Sequence, residues 1–296
     1  LWTKTFKQKN EWIESFNTIP FEFSDPRHTI RFYQEIAVNN VMQAIAEDKK
    51  RILLTLATGT GKTFIAAQIA WKLFKTKWNL KKDKKRSPRI LFLVDRNILA
   101  DQAFLAFGSF SNDALTRIDP TDIRRRGGVP KNATVFFTIY QNFMTGKNDQ
   151  PWFKEYSKDF FDFIIVDECH RGGGNDESAW RKILDYFNPA VQLGLTATPK
   201  RDDNTDTYEY FGKPVYEYSL KEGIDDGFLT PFKVQNIQTT IDEYTFTGED
   251  TVIEGNPEQG DSYGEDAFNN IIIIEERERK RVQELIKVTN KDDKTI

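Results

Sequence analysis

One stretch, from Leu53 to Thr63, constrains the fold of this chain more than any other. It reads Leu-Leu-Thr-Leu-Ala-Thr-Gly-Thr-Gly-Lys-Thr, so an apolar run ends in a glycine-rich turn that closes with Lys-Thr. A helical pattern begins at Phe64, which gives the order strand, loop and helix that a phosphate-binding loop requires. Glycine lets the backbone approach a ligand without an intervening Cβ, and the unpaired amides at the start of the helix point at an anion. The stretch therefore predicts a loop that binds phosphate groups.

The residues of this loop are candidate ligands of a nucleotide. Lys62 can reach the β- and γ-phosphates as a point charge, and the Thr63 hydroxyl can hold Mg²⁺. Leu56 stands where the general pattern has its first glycine. The alternative is a glycine-rich turn that binds nothing, but turn geometry alone does not require Lys-Thr at that point. The sequence therefore predicts a site for ATP and Mg²⁺ formed by Thr58, Gly59, Thr60, Gly61, Lys62 and Thr63.

A second polar group, Asp167-Glu168-Cys169-His170, closes the apolar run of residues 163–166. A carboxylate at the end of one strand, near a phosphate loop at the end of another, can bind Mg²⁺ through water. Glu168 can then orient or deprotonate the attacking water. The alternative is a surface acidic pair, but acids placed for solubility do not close a hydrophobic strand. We expect Lys62 and Asp167 to grip a triphosphate between two neighbouring strand-to-helix crossovers.

Apolar strand patterns alternate with helical patterns along the chain. This alternation indicates an α/β fold with a mostly parallel sheet and helices on both faces. Open α/β sheets bind ligands at the carboxyl ends of their strands, and further polar residues stand at such ends. These residues are Arg96, Thr138 with Gln141 close behind it, and Thr196 with Thr198.

Taken in order, these motifs resemble the first motor domain of superfamily 2 helicases and translocases, a RecA-like P-loop NTPase. The form Ala-Thr-Gly-Thr-Gly-Lys-Thr resembles motif I of that superfamily, and the resemblance covers about residues 31–233. It implies an adenine contact for Gln34, because an amide can donate and accept at once. A solvent-facing helix glutamine is the alternative.

The resemblance also implies roles for the remaining polar residues. A surface arginine and ordinary strand threonines are the alternatives, since threonine is common in strands. The implied roles are coupling of nucleotide to nucleic acid for His170, Thr196 and Thr198, and contacts to the nucleic-acid backbone for Arg96, Thr138 and Gln141.

Four segments look like the motor (R) subunit of type I restriction-modification enzymes. That family implies ATP-driven translocation of double-stranded DNA, with modification and specificity subunits as partners and cleavage by a separate nuclease domain. It also implies a second RecA-like domain that supplies an arginine finger, so we expect this chain alone to hydrolyse ATP poorly. The segments are residues 31–34, 167–171, 195–201 and 218–229.

Two other functions stay open on the sequence. A DNA-repair or RNA helicase of superfamily 2 would carry the same series of motifs. A non-catalytic, nucleotide-gated binding module belongs to a different class. Intact Lys62, Thr63, Asp167 and Glu168 argue against that module, because a site that only binds has no need of Glu168.

Composition bounds the class of protein. Hydrophobic residues make up 39% and charged residues 29%, which is ordinary for a globular protein. No apolar run approaches the length of a membrane span, and we find no leader pattern. The single cysteine, Cys169, permits no intrachain disulfide, which fits a cytoplasmic protein. The net charge of −3 implies that nucleic acid would bind in a local groove.

The pattern also predicts a division of the chain. Residues 1–30 are interpreted as a lead-in from an upstream domain, 31–233 as the first RecA-like domain, 234–290 as an excursion and linker helix, and 291–296 as the start of a second RecA-like domain. The lysine-rich run of residues 81–86 is typical of a solvated loop, with a nucleic-acid contact as the weaker alternative. The tyrosine-rich run of residues 208–212 predicts a short strand.

Overall fold

The fold is described from a computed structural model. The model describes residues 11–23, 29–94, 103–147, 150–167, 169, 174–197, 205–232, 244–248, 252, 255–263 and 273–288. The chain divides into two compact units, Leu1–Thr230 and Pro231–Ile296. Arg96, Glu168, His170 and Thr198 lie outside the described residues.

Helices and strands alternate through the first unit. Its helices are α1 (Glu11–Asn17), α2 (Phe32–Ala46), α3 (Lys62–Lys75), α4 (Pro120–Arg126), α5 (Tyr140–Met144), α6 (Gly174–Tyr186), α7 (Thr205–Phe211) and α8 (Leu220–Asp225). Its strands are β1 (Arg51–Leu56), β2 (Ile90–Val94), β3 (Leu115–Arg117), β4 (Val135–Ile139), β5 (Gly146–Lys147), β6 (Gln150–Pro151), β7 (Phe163–Val166), β8 (Val191–Thr196) and β9 (Tyr216–Tyr218). The second unit contains β10 (Tyr244–Thr245), β11 (Ser262–Tyr263) and α9 (Glu275–Val288).

Seven strands form one sheet in the order β3-β4-β2-β7-β8-β1-β9. Every pair of neighbours in this sheet runs parallel. Parallel neighbours need crossover connections, and helices supply them on both faces. The α/β fold predicted from the sequence is therefore confirmed.

The sheet is buried on both faces. In β1, Leu54 and Leu56 belong to one apolar cluster, whereas Leu53 belongs to the other, because successive side chains point to opposite faces. The first cluster includes Val38 of α2 and Ile65 of α3, and the second is formed with α5, α6 and α7. In the central strands, polar groups can therefore reach solvent only at the strand ends.

Residues 208–212 do not form the predicted strand. They belong to helix α7 and the turn after it. Thr207, Tyr210 and Phe211 are buried, which is the i, i+3, i+4 spacing of one helix face. Phe211 stacks on Trp180 of α6 and Tyr210 meets the same ring edge-on. The prediction was wrong because the tyrosines were interpreted by strand propensity, whereas packing against Trp180 decides the helix.

Residues 11–23 pack within the first unit. Trp12 and Phe16 of α1 join its apolar core. Lys72 of α3 is buried, and its Nζ donates to the carbonyl oxygens of Phe16 at 3.1 Å and Ile19 at 2.5 Å. Burial lowers the pKa of the Lys72 ammonium. Gln68 pairs with the backbone of Glu22 through both ends of its amide.

The lysine-rich connection lies before β2, at the amino-terminal ends of the strands. It is held by Asp162, which is 0% exposed and precedes β7. Arg86 donates to both Asp162 oxygens, at 2.6 and 3.0 Å. The amides of Leu80 and Arg89 donate to the same carboxylate. This geometry favours a braced surface loop on the edge opposite the candidate site.

We predict that Asp162→Ala lowers the free energy of unfolding by about 3–5 kcal/mol, since it orphans a cation and two backbone donors at once. Urea titration of this chain measures the change. Asp159→Ala, at an exposed neighbour, is the control and is expected to shift stability by about 0.5 kcal/mol or less. Equal effects of the two substitutions would contradict the role given to Asp162.

Candidate nucleotide-binding site

The glycine-rich turn connects the end of β1 to the start of α3. Gly59 and Gly61 have φ angles of +85° and +86°, in the left-handed region that favours glycine. A Cβ on Gly61 would lie only 2.7 Å from Gln34 Nε2. The turn therefore requires glycine at position 61 for two reasons, backbone conformation and close approach.

Contacts from α2 hold the Thr60 carbonyl. The Tyr33 hydroxyl donates to this oxygen at 3.1 Å, and Gln34 Nε2 donates to it at 2.9 Å. Thr60 is itself buried, and its hydroxyl donates to the Ala57 carbonyl at 2.6 Å. The loop is therefore tied at its centre by contacts within the protein.

Gln34 uses both ends of its amide within the protein. Its Oε1 accepts the Arg31 backbone N–H at 3.1 Å, while its Nε2 bonds to the loop. The amide keeps a second N–H and a second lone pair, and an adenine contact would use these. The adenine role of Gln34 stays a prediction.

Lys62 and Thr63 begin helix α3, at its positive end. Lys62 is 8% exposed, and its Nζ lies 3.4 Å from the Leu56 carbonyl oxygen, the far end of the ordinary hydrogen-bond range. Thr63 is half-buried, and Thr58 and Gly59 are exposed at the tip of the loop. The cation, the hydroxyl and the helix amides thus converge on one side of the turn.

Asp167 directly follows β7 and is 7% exposed. Its backbone N–H donates to the Leu93 carbonyl at 2.9 Å, and the Cys169 N–H donates to that of Leu195 at 3.1 Å. The acid therefore stands at the same edge of the sheet as the glycine-rich turn, since β1 and β7 are parallel members of one sheet.

The two crossovers are not neighbours, because β8 lies between β1 and β7. Strands are spaced about 4.8 Å apart, so β1 and β7 are separated by about 10 Å. Thr196, at the end of β8, pairs in register with Thr55 of β1 and is buried. The prediction that the two crossovers are neighbours was therefore wrong, and Thr196 of β8 lies between them.

Thr138 does not present its hydroxyl to solvent. The side chain is 3% exposed, and its Oγ1 donates to the Ile118 carbonyl at 2.9 Å. This arrangement does not fit the predicted phosphate contact and favours a packing role for Thr138, which strand threonines commonly have. Gln141 is exposed in α5, and its contact with a phosphate of the DNA backbone stays a prediction.

The donor set fits magnesium on a nucleotide. Within the described ranges, no three His, Cys, Asp or Glu side chains are grouped to hold a metal. Magnesium on ATP needs fewer protein ligands, since phosphate oxygens and water complete its octahedron. The Thr63 hydroxyl and the Asp167 carboxylate are oxygen donors of that kind.

The sequence did not reveal every residue around the turn. Tyr33 and Leu229 both contact it, the first through Thr60 and the second through Gly59. Both stand in segments that carry the family resemblance, but no local pattern shows that they meet the loop.

A parallel sheet, a glycine-rich turn that closes with Lys62 and Thr63, and an acid two strands away together define a RecA-like P-loop domain. Comparisons with known proteins identify its relatives. The family model described as "Type III restriction enzyme, res subunit" matches residues 27–201. This match covers more than half of the chain, so the chain belongs to this restriction-enzyme family.

Individual relatives show the same affiliation. The type I restriction enzyme EcoAI endonuclease subunit of Escherichia coli is 42% identical over 276 residues, which cover 90% of this chain and 32% of that subunit. The EcoKI endonuclease subunit of Escherichia coli (strain K12) is 36% identical over 68% of this chain and 17% of that subunit. A structure of an HsdR-subunit fragment from Vibrio vulnificus YJ016 has 43% identity and a TM-score of 0.59, covering 77% of this chain and 36% of that chain.

The chain thus spans about a third of the length of the EcoAI subunit. In the part of the chain that the structure describes, no helix is long and apolar enough to cross a membrane.

We predict that Gly61→Ala destabilises the protein more than Gly127→Ala. Both alanines must adopt a left-handed φ, which costs about 1–2 kcal/mol. Only position 61 adds a clash, because nothing lies within 4 Å of a Cβ at Gly127. Urea midpoints measure the difference, and adding Gln34→Ala to Gly61→Ala should recover part of it. Equal midpoints for the two single variants would contradict the described packing.

Proposed function

We propose that this domain is an ATP-hydrolysing motor that moves double-stranded DNA within a type I restriction enzyme. The observation that supports the proposal is the geometry of the glycine-rich turn. Its left-handed glycines, the Lys62 ammonium and the amino terminus of α3 face the sheet edge that carries Asp167. No simpler requirement of the fold explains why a cation and an acid occupy this edge.

Lys62 is suited to bind the β- and γ-phosphates. In this structure its contact with the Leu56 carbonyl is long, at 3.4 Å. A phosphate oxygen carries far more charge than a carbonyl oxygen, so Lys62 would form a stronger, charge-assisted bond with phosphate than with this carbonyl. The helix amides beside Lys62 would contribute hydrogen-bond donors to the same anion.

Hydrolysis needs oxygen ligands for the metal ion and a general base for the attacking water. Thr63 and Asp167 would hold Mg²⁺, which neutralises charge that develops on the phosphate oxygens. Glu168 would orient and deprotonate the attacking water, and Lys62 would stabilise charge on the transferred phosphate. Gln34 would hold the adenine edge, while His170, Thr196 and Thr198 would couple nucleotide state to DNA.

The kind of motor is proposed from the relatives. A type I endonuclease subunit with 42% identity favours translocation of double-stranded DNA in a complex with modification and specificity subunits. A helicase, Irc3 of Saccharomyces cerevisiae, is 27% identical over 72% of this chain, which makes a separate helicase the weaker proposal. Arg96 and Gln141 would contact the DNA backbone, which positions DNA without reading its sequence.

We predict that Lys62→Ala weakens MgATP binding to this chain by about 10- to 100-fold, the value of a charge-assisted hydrogen bond. Isothermal titration calorimetry measures the affinity. Lys75→Ala, an exposed lysine at the other end of the same helix, is the matched control and should bind as the wild type does. Unchanged binding by Lys62→Ala would overturn the role of this lysine.

We predict that Glu168→Gln in the full-length subunit keeps MgATP binding and lowers DNA-stimulated ATP hydrolysis by about 10²–10⁴-fold, since only the base is removed. Phosphate release measures turnover, and nucleotide binding in the same preparation is the control. Glu155→Gln, at an exposed glutamate, should leave turnover unchanged. Wild-type turnover in Glu168→Gln would exclude Glu168 as the base.

A further inference from the structure

Leu229 contacts the glycine-rich turn from a distant part of the sequence. A Cβ on Gly59 would lie 3.2 Å from Leu229 Cδ2, so the leucine packs directly on the turn. A Cβ on Gly223 would lie 2.5 Å from Leu229 Cδ1, so the same side chain fills the space beside that glycine. Leu229 is therefore seated between helix α8 and the turn.

The segment that carries Leu229 is closed by its own hydrogen bonds. The amides of Phe228 and Leu229 both donate to the Gly223 carbonyl, at 2.9 and 2.8 Å. At the start of α8, the Ser219 N–H donates to Glu222 at 2.7 Å, and the Glu222 N–H donates back to the Ser219 hydroxyl at 3.2 Å. These bonds fix both ends of the helix, so Leu229 is presented by a rigid element rather than a free loop.

Tyr218 provides a second connection to the turn. Its carbonyl accepts the Ala57 N–H at 3.0 Å, at the first residue of the turn. Its ring stacks on Tyr33, with centroids 4.2 Å apart, and the Tyr33 hydroxyl bonds to the Thr60 carbonyl. The Tyr218 hydroxyl donates to Asp226 at 2.7 Å, which ties this connection to the end of α8. The segment thus contacts the turn at Ala57 and Gly59, and it packs against Tyr33, which bonds to Thr60.

We propose that residues 218–229, which we call the loop brace, hold the glycine-rich turn in its anion-binding shape, with Leu229 as a positioning residue. The inference rests on the proposed nucleotide site. A turn with two left-handed glycines has many alternative conformations, and ordering each residue carries an entropic cost. A turn that packing has already ordered binds its ligand more tightly, because less conformational entropy is lost when the ligand binds.

The coupling runs in both directions. If the loop brace favours the conformation that binds phosphate, bound nucleotide stabilises the loop brace by the same free energy. Residues 218–229 should therefore become more protected from hydrogen exchange when MgATP binds, although none of them is assigned a contact with the nucleotide. Residues 218–229 lie at the end of the first unit, and their exchange rates would report whether the nucleotide site is occupied.

Hydrogen–deuterium exchange of the nucleotide-free chain tests the inference without depending on ATP. In Leu229→Ala, the hydrogen-bonded amides of Ala57 and Thr60 should exchange about five- to tenfold faster than in the wild type, since part of a leucine's packing is lost. Central strands β2 and β7 should be unaffected. Leu220→Ala, at an exposed leucine of helix α8, is the matched control. Leu229→Met should restore slow exchange, and unchanged exchange in Leu229→Ala would overturn the inference.

A milder variant covers the case in which Leu229→Ala fails to fold. Leu229→Val keeps an apolar side chain but withdraws it from Gly59, so faster exchange at Ala57 and Thr60 supports the inference and wild-type exchange contradicts it. MgATP titration separates the two proposals. Binding that Lys62→Ala abolishes and Leu229→Ala leaves intact would reject the loop brace alone, whereas a wild-type chain that does not bind MgATP would reject the proposed function.

Discussion

The left-handed backbone at Gly59 and Gly61 is the constraint on which the site depends. It lets the chain leave β1 and enter α3 within a few residues while the first amides of the helix stay unpaired by the helix itself. Side chains with a Cβ would strain the turn and, at position 61, collide with Gln34. The position of Lys62 at the helix start, and with it the charge at the sheet edge, follows from this local geometry.

The sheet order then decides which other residues can reach that edge. Because β8 separates β1 from β7, the two strands that lead to the turn and to the acid lie about 10 Å apart, a spacing that a metal ion with its water and phosphate ligands can bridge. Both faces of the sheet are filled by apolar side chains, so polar chemistry is confined to the ends of the strands. The amino-terminal ends carry the buried Asp162 carboxylate paired with the partly exposed Arg86, and the carboxyl ends carry the candidate site.

Local patterns were sufficient to predict the parallel sheet, the glycine-rich turn and the acid after β7, because each depends on neighbouring residues. The tyrosine-rich run was assigned to a strand from the strand propensity of its residues. Its helical burial at i, i+3 and i+4 depends on packing against Trp180, which is distant in sequence and gives no local signal. The contact of Leu229 with Gly59 joins residues far apart in the chain and has no local signal. The role of Thr138 could not be predicted from sequence. A threonine hydroxyl at a strand end can point to solvent or to a neighbouring carbonyl, and the local sequence is the same in both cases.

Helix α3 connects the glycine-rich turn to residues 16–19. Its first residue is Lys62, and near its last turn Lys72 holds the carbonyls of Phe16 and Ile19. Fourteen residues of α-helix form a stiff rod of about 20 Å. An axial shift of this helix at its proposed phosphate-binding end would therefore displace residues 16–19. The helix would in this way transmit movement from the nucleotide site to the chain that precedes it.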